Sequence, residues 1–305
     1  MIYFYRSTVS DQKIKKQTRL TPGCWVKCEH PSDTNLRWLR ETLRLDRNTL
    51  KGVLDPYEVP RFIRTKNWTY WIARLPDTND EEAGFTTPIM LAMNDRYIVT
   101  VSRDKLDNLW KPFKDSKRIA TTQRGRFFLT VTHAIISQYQ HQLALINRRM
   151  RAIMLNVSNM VPKDVEVFSK SERKVNDYLD ALGPMYTALE GLLSGIDPHL
   201  FADEADLING VTVELSQVIA RCKSELNTIT SLRDSYQTVM DVKLNENMRM
   251  LTIITIVMTI PTVVAGLWGM NVKVPMMHTE YDFWVIVICI TVIMALTAII
   301  LVRKR

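Results

Sequence analysis

A chain of 305 residues has room for one large domain with an accessory element, or for two ordinary domains. Its net charge of +8 comes from 40 basic residues mixed with 32 acidic ones, and no Arg-rich run interleaved with aromatics stands out, which argues against nucleic acid as a partner. Of the four cysteines, Cys24 and Cys28 lie near His30, but no second Cys/His pair completes a zinc site, so they read as ordinary thiols of a cytosolic domain.

The first residues, Met1 to Tyr5, are apolar over too short a stretch for a secretory signal, so residues 2–5 read as a first strand and the N-terminus is expected in the cytoplasm. Runs rich in Val, Ile, Tyr, Trp and Thr predict further strands over 24–28, 68–75, 89–92 and 97–101. Leu36, Leu39 and Leu43 recur at helical spacing after the cap candidates Ser32 and Asp33, which predicts a helix over 34–45. Pro56, Pro60, Pro76 and Pro88 read as loop and strand-edge markers. Residues 1–125 are thus expected to form an α/β domain.

From Arg126 the pattern becomes helical. One helix is predicted over 127–159, and a second over 165–194 with a kink at Gly183-Pro184. Together they make a helical hairpin within 126–200, closed by a turn at 195–198. From Ala202 the helical signal runs to Trp268 with no proline before Pro261, which at 1.5 Å per residue is a rod of roughly 100 Å. Its part up to residue 249 reads as a stalk.

The end of the chain is a different physical object. Residues 250–272 and 283–302 contain no charged side chain. About 20 apolar residues span a bilayer core as helix, and one charge at the centre costs about 2.5–3.5 kcal/mol, so two uncharged runs of this length predict two membrane spans. Lys243 and Arg249 precede the first, over 250–270, and the second with its basic tail of Arg303, Lys304 and Arg305 takes up 283–305. The segment 271–282 between them carries one lysine, Lys273, against Glu280 and Asp282. Positive flanks stay inside, so both chain ends are expected in the cytoplasm and the connection outside. Trp268, Tyr281 and Trp284 fall where an outer aromatic belt belongs.

At 100° per residue, Asn245, Met248, Thr252, Thr255, Thr259, Thr262 and Gly266 share one face of the first span, and Asp241 and Asp234 continue it downward. Such a stripe serves either close helix packing or the lining of an aqueous path. The second span, mostly Ile, Val, Leu and Met, carries no such stripe and reads as lipid-facing. A single hairpin cannot enclose a path, so the pore reading requires several copies, with first spans inside and second spans around them.

The outer end of the first span reads Leu267-Trp268-Gly269-Met270-Asn271. With the long preceding helix, the segment Asn245-Glu246-Asn247-Met248 and a second span ending in a basic tail, it resembles the CorA family of divalent-cation transporters, whose hallmark is Gly-Met-Asn at this place. Trp268 stands where the family usually has Tyr. The resemblance implies an α+β membrane protein: a cytoplasmic α/β domain, a long stalk helix and a two-helix membrane hairpin, assembled as a pentameric funnel in the plasma membrane. It implies passive uptake of Mg²⁺, and also of Co²⁺ and Ni²⁺, with Gly269, Met270 and Asn271 as the selectivity site. It also implies closure by intracellular Mg²⁺ bound between subunits. Met248 and Leu251 match apolar gate positions of the family, whereas Thr259 is more polar than the residue usual there.

The chemistry suits that assignment. Mg²⁺ demands octahedral oxygen ligation and sheds water reluctantly, so a ring of Asn271 amides with Gly269 carbonyls would hold the hydrated ion by outer-sphere contacts. Met270 reads as a packing residue. For the regulatory sites Asp104, Asp107, Asp203, Glu204, Asp206 and Glu214 are candidates by composition only. Lys273 departs from the acidic residues common after the motif and lowers the local cation concentration. Met270, at a position where the zinc-transporting branch departs, favours the magnesium side. No nucleotide-binding Gly-rich loop and no catalytic constellation is present, so an enzyme is not expected. The rival readings are a transporter of zinc or another divalent ion with the same fold, and a membrane-tethered oligomeric interaction protein without transport.

Overall fold

A computed structural model of the chain describes residues 1–11, 13–77, 84–115, 119–155, 160–193, 205–270 and 281–303. It falls into two units, Met1–Arg233 and Asp234–Arg305.

In the first unit seven strands form one sheet: β1 (Ile2–Arg6), β2 (Lys15–Gln17), β3 (Trp25–Glu29), β4 (Arg61–Arg64), β5 (Thr69–Pro76), β6 (Thr86–Met93) and β7 (Ile98–Ser102). Their order is β2-β1-β3-β7-β6-β5-β4, antiparallel except for the parallel β3–β7 pair. Helices α1 (Asp33–Leu43) and α2 (Arg47–Gly52) follow β3, α3 (Asp107–Asp115) follows β7, and α4 (Arg124–Met154) and α5 (Pro162–Leu193) come next. Helix α6 (Ala205–Trp268) runs for 64 residues, and α7 (Asp282–Arg303) for 22.

Both faces of the sheet are covered, so its central strands are continuous apolar runs rather than alternating ones. On one face Val26, Tyr70, Ile72, Met90, Val99 and Val101 pack with Leu39, Leu43 and Leu50 of α1 and α2. On the other, Trp25 meets Trp110 of α3 at 4.8 Å and Phe127 of α4 at 5.2 Å between ring centroids, and Trp71 meets Phe128 at 4.9 Å. The Trp25 indole N–H also donates to the buried Thr100 hydroxyl at 2.8 Å. Trp25→Ala is therefore expected to destabilise the first unit by about 3–5 kcal/mol through the cavity and the lost bond. The check is a drop in the apparent unfolding temperature of the detergent-solubilised chain.

The predicted central strands form within a few residues of their expected places. Helix α1 begins as expected: Ser32 Oγ accepts from Asn35 N at 3.3 Å and Asn35 Oδ1 accepts from Ser32 N at 3.2 Å, a reciprocal cap. It ends at Leu43 rather than at 45, because Arg44 turns left-handed at φ 56. Pro88 is a correction: instead of marking a loop or the edge of a strand it lies within β6, opposite Arg74 of β5. Pairing of β6 with β7 begins only at Ile89, so Pro88 sits where β6 has one partner and its missing N–H breaks no second ladder. Helix α5 continues through Pro184. The turn at 195–198 and the expected helix end at 156–159 lie outside the described residues.

Cys24 and Cys28 are fully buried beside and in β3, and burial pushes the Cys28 thiol up to about 11. Their sulfurs are core groups, with Cys24 Sγ 3.1 Å from Thr21 Oγ1.

Candidate functional site

The second unit holds the end of α6 together with α7. Both helices are long and apolar enough to cross a membrane, and none of either apolar stretch is buried. On α6 the less exposed apolar positions are Ile253, Val257, Ile260, Pro261, Val264 and Trp268. On α7 they are Ile286, Val287, Ile290, Met294, Ala298 and Leu301, with Thr297 among them. Steps of three and four place each set on one face of its helix, so the two helices shade one another along these faces. At the charged end Arg249 Nη2 donates to Leu301 O at 3.3 Å, placing a cation against the last carbonyls of α7.

Thr252, Thr255, Thr259 and Thr262 lie on the far side of α6 and are exposed, as are Asn245, Met248 and Leu251 where its apolar stretch begins. Each threonine hydroxyl donates to the carbonyl four residues earlier: Thr252 to Met248 at 2.8 Å, Thr255 to Leu251 at 2.8 Å, Thr259 to Thr255 at 2.8 Å and Thr262 to Met258 at 3.0 Å. A carbonyl can only accept, so each hydroxyl proton is committed to the backbone. What the stripe presents outward is therefore lone pairs. A water bound to a cation points its hydrogens outward and finds acceptors here, whereas an anion finds no donor. Gly266 continues the stripe with open space around it.

At the other end α6 closes with Trp268. Gly269 N donates to Ala265 O at 2.9 Å and Met270 N to Leu267 O at 3.4 Å. A Cβ on Gly269 would stand 3.1 Å from Ala265 O, so a larger residue at this turn would make the backbone give by a few tenths of an ångström. The Met270 side chain is exposed within the single chain. Asn271, Lys273 and Glu280 lie outside the described residues, as do Asp203, Glu204, Lys304 and Arg305.

The remaining acidic candidates have local partners. Asp104 Oδ2 accepts from Thr87 Oγ1 at 3.1 Å; Glu214 lies 3.0 Å from His133 Nδ1 and accepts from Gln140 Nε2 at 3.1 Å. Asp206 and Asp107 occupy first turns of α6 and α3, where a carboxylate complements the exposed backbone amides. Asp104 and Asp107 do share one cleft of about 280 Å³, and its third acid, Asp77 at the end of β5, escaped sequence reasoning because only the fold brings β5 beside the β7–α3 loop. Among the described residues no three His, Cys, Asp or Glu side chains form a metal site.

A family model described as CorA-like Mg²⁺ transporter protein matches residues 23–304. A curated relative from Methanocaldococcus jannaschii, the cobalt/magnesium transport protein CorA, is 22% identical over 287 residues, covering 88% of this chain and 86% of the relative. Among solved structures, the complete CorA magnesium transporter of Methanocaldococcus jannaschii superposes with a TM-score of 0.79 at 17% identity, over 100% of this chain and 96% of that one. The full-length CmaX protein gives 0.76 at 16% identity, over 99% and 96%. At such identities the structural likeness establishes the fold, and the match over nearly the whole sequence establishes the family. The chain belongs to the CorA-like Mg²⁺ transporter family.

Proposed function

We propose that this protein is a passive divalent-cation channel whose main cargo is Mg²⁺, with Co²⁺ and Ni²⁺ as further ions. The observation that carries this reading is the acceptor-only threonine stripe on the face of α6 turned away from α7. In a homopentamer of the family type the first spans stand inside, so five such stripes would line a path suited to a hydrated cation. Met248 and Leu251 would narrow its cytoplasmic end. Asn271 amides with Gly269 carbonyls would rim the outer mouth and hold the ion through its waters, and Met270 would pack behind them. The cytoplasmic unit would read intracellular Mg²⁺ at acidic residues between subunits and close the path. Both termini would then lie in the cytoplasm, with the protein multi-pass in the plasma membrane.

Energy coupling is electrical. A divalent ion entering a negative-inside cell gains about 4.6 kcal/mol per 100 mV, twice the single-charge figure, so uptake requires no nucleotide hydrolysis. The test is flux of Mg²⁺, Co²⁺ and Ni²⁺ into liposomes holding the purified protein under an imposed potential, with and without Mg²⁺ on the cytoplasmic face. Potential-driven flux that falls when Mg²⁺ is added to that face is the expected result. A protein that oligomerises and passes none of the three ions is a membrane-tethered assembly instead, and preferential Zn²⁺ flux moves it to the zinc branch.

Lys273 offers a smaller test. A ring of lysines near the mouth repels incoming cations, so Lys273→Glu should raise the initial Mg²⁺ uptake rate by about threefold or more at low ionic strength. The gain should shrink as salt shortens the Debye length to about 8 Å near 0.15 M. An unchanged rate at low salt would remove Lys273 from the access path.

A further inference from the structure

The register of the sheet brings three cation-bearing segments to one place. Arg64 stands opposite Thr69 and Thr69 opposite Met93, so the β4–β5 turn and the β6–β7 turn leave the sheet at the same end. Both turns are fixed internally. Thr65 N donates to Trp68 O at 2.9 Å, and Asn94 Oδ1 accepts from Arg96 N at 2.9 Å and Tyr97 N at 2.8 Å. Trp68 Nε1 donates to Leu43 O at 3.0 Å, which ties the end of α1 to them and sets the left-handed Arg44 alongside. Between the three segments is an open cleft of about 500 Å³.

Arg44, Arg64, Lys66 and Arg96 line it, and among the described residues the one acid lining it is Asp95. That acid lies close to a fifth cation: Arg124 donates to the Asp95 carbonyl at 2.6 Å and its Nη2 is 3.8 Å from the carboxylate. The concavity therefore carries a clear positive surplus on internally hydrogen-bonded turns, with the largely buried Trp68 among its walls.

We propose that this cleft binds a small oligophosphate anion of the size of a nucleoside triphosphate. Ligand pockets run from about 300 to 1,000 Å³, so the volume suits such a molecule. Guanidinium forks meet phosphate oxygens in pairs and lysine adds a point charge. A long polyanion such as nucleic acid is matched by charge along an extended surface, whereas here the cations line a single concavity. An oligophosphate that has bound Mg²⁺ has lost two negative charges, so the cleft favours the metal-free form. This site is separate from the membrane hairpin, and its test does not depend on transport.

The experiment is calorimetric titration of full-length protein in phosphatidylcholine nanodiscs with sodium tripolyphosphate, then with a nucleoside triphosphate, in the presence of a chelator. We expect one site per chain with a dissociation constant below about 1 mM, weakened at least about tenfold between 50 and 300 mM NaCl as screening grows. Lys66→Glu combined with Arg96→Glu should lower affinity at least tenfold with the unfolding temperature unchanged; Arg44→Gln serves as a milder second variant, expected to lower it severalfold. Absence of binding up to 5 mM, or wild-type affinity in both the double variant and Arg44→Gln, overturns the proposal. So does binding of the nucleotide without binding of tripolyphosphate, since the cations would then not be the recognition element. Binding that vanishes when the discs contain phosphatidylglycerol assigns the cleft to lipid headgroups and overturns the free-ligand assignment.

Discussion

In the proposed channel, Asn271→Ala is expected to leave the oligomer intact and to remove its discrimination for Mg²⁺. An amide oxygen that accepts from a water of the hydrated ion contributes on the order of 0.5–1.5 kcal/mol net, and a closed ring repeats that contact in every subunit. Two to three kcal/mol lost across the ring corresponds to about a hundredfold in occupancy at the mouth. The measurement is competitive flux of Mg²⁺ against a monovalent cation in liposomes, with oligomeric state followed in parallel by light scattering. Asn271→Gln retains the amide but displaces it by one methylene, so it should keep part of the discrimination that alanine loses. Met270→Ala removes a side chain with only a weak acceptor sulfur and should cost far less. Wild-type selectivity in the Asn271→Ala channel would exclude the amide ring as the filter.

How far the sequence carries differs from element to element for physical reasons. The spans in α6 and α7 are legible because charge is so costly in a bilayer that its absence over 20 residues has few other causes. Strands β3, β5, β6 and β7 are legible because layers on both faces force continuous apolar runs. Edge strands β2 and β4, reading Lys-Lys-Gln and Arg-Phe-Ile-Arg, are not, because an exposed edge favours charge and suppresses the hydrophobic signal. The short helices α2 and α3 escaped as well: six and nine residues carry too little periodicity to stand out.

The candidate site divides in the same way. Spacing alone puts the four threonines on one face, but two facts needed coordinates. One is that α7 shades the opposite side of α6; the other is that every hydroxyl proton is turned back to the helix. Neither Asp77 beside Asp104 and Asp107 nor the convergence of Arg44, Arg64, Lys66 and Arg96 is visible in the sequence, since sheet register joins residues far apart along the chain. Asn271 is the reverse case, readable as part of a motif while lying outside the described residues.

The threonine stripe yields the second large effect. Valine has nearly the shape of threonine, so in the proposed assembly Thr255→Val with Thr259→Val removes two rings of acceptors with little change in volume. The hydroxyls already bond within α6, so the helix itself should lose little; back-bonding to the preceding turn is at best neutral for helix stability. A hydrated ion, by contrast, loses a partner at each level. At about 0.5–1.5 kcal/mol per lost contact, one contact at each of two levels raises the barrier by about 1–3 kcal/mol, which is about a fivefold to a hundredfold drop in Mg²⁺ flux. The control is Thr291→Val with Thr297→Val on α7, where the hydroxyls also donate backward, to Val287 and Ile293 at 2.8 Å, with Thr291 on the exposed side of α7 and Thr297 on the face that α6 shades, neither on the threonine stripe. Flux should fall in the first pair and stay within twofold of wild type in the second. Equal loss in both pairs would mean that the substitutions act on hairpin packing. Equal retention would mean that ions pass elsewhere, because an aqueous path lined by α6 cannot ignore the loss of the two central hydroxyls of its four.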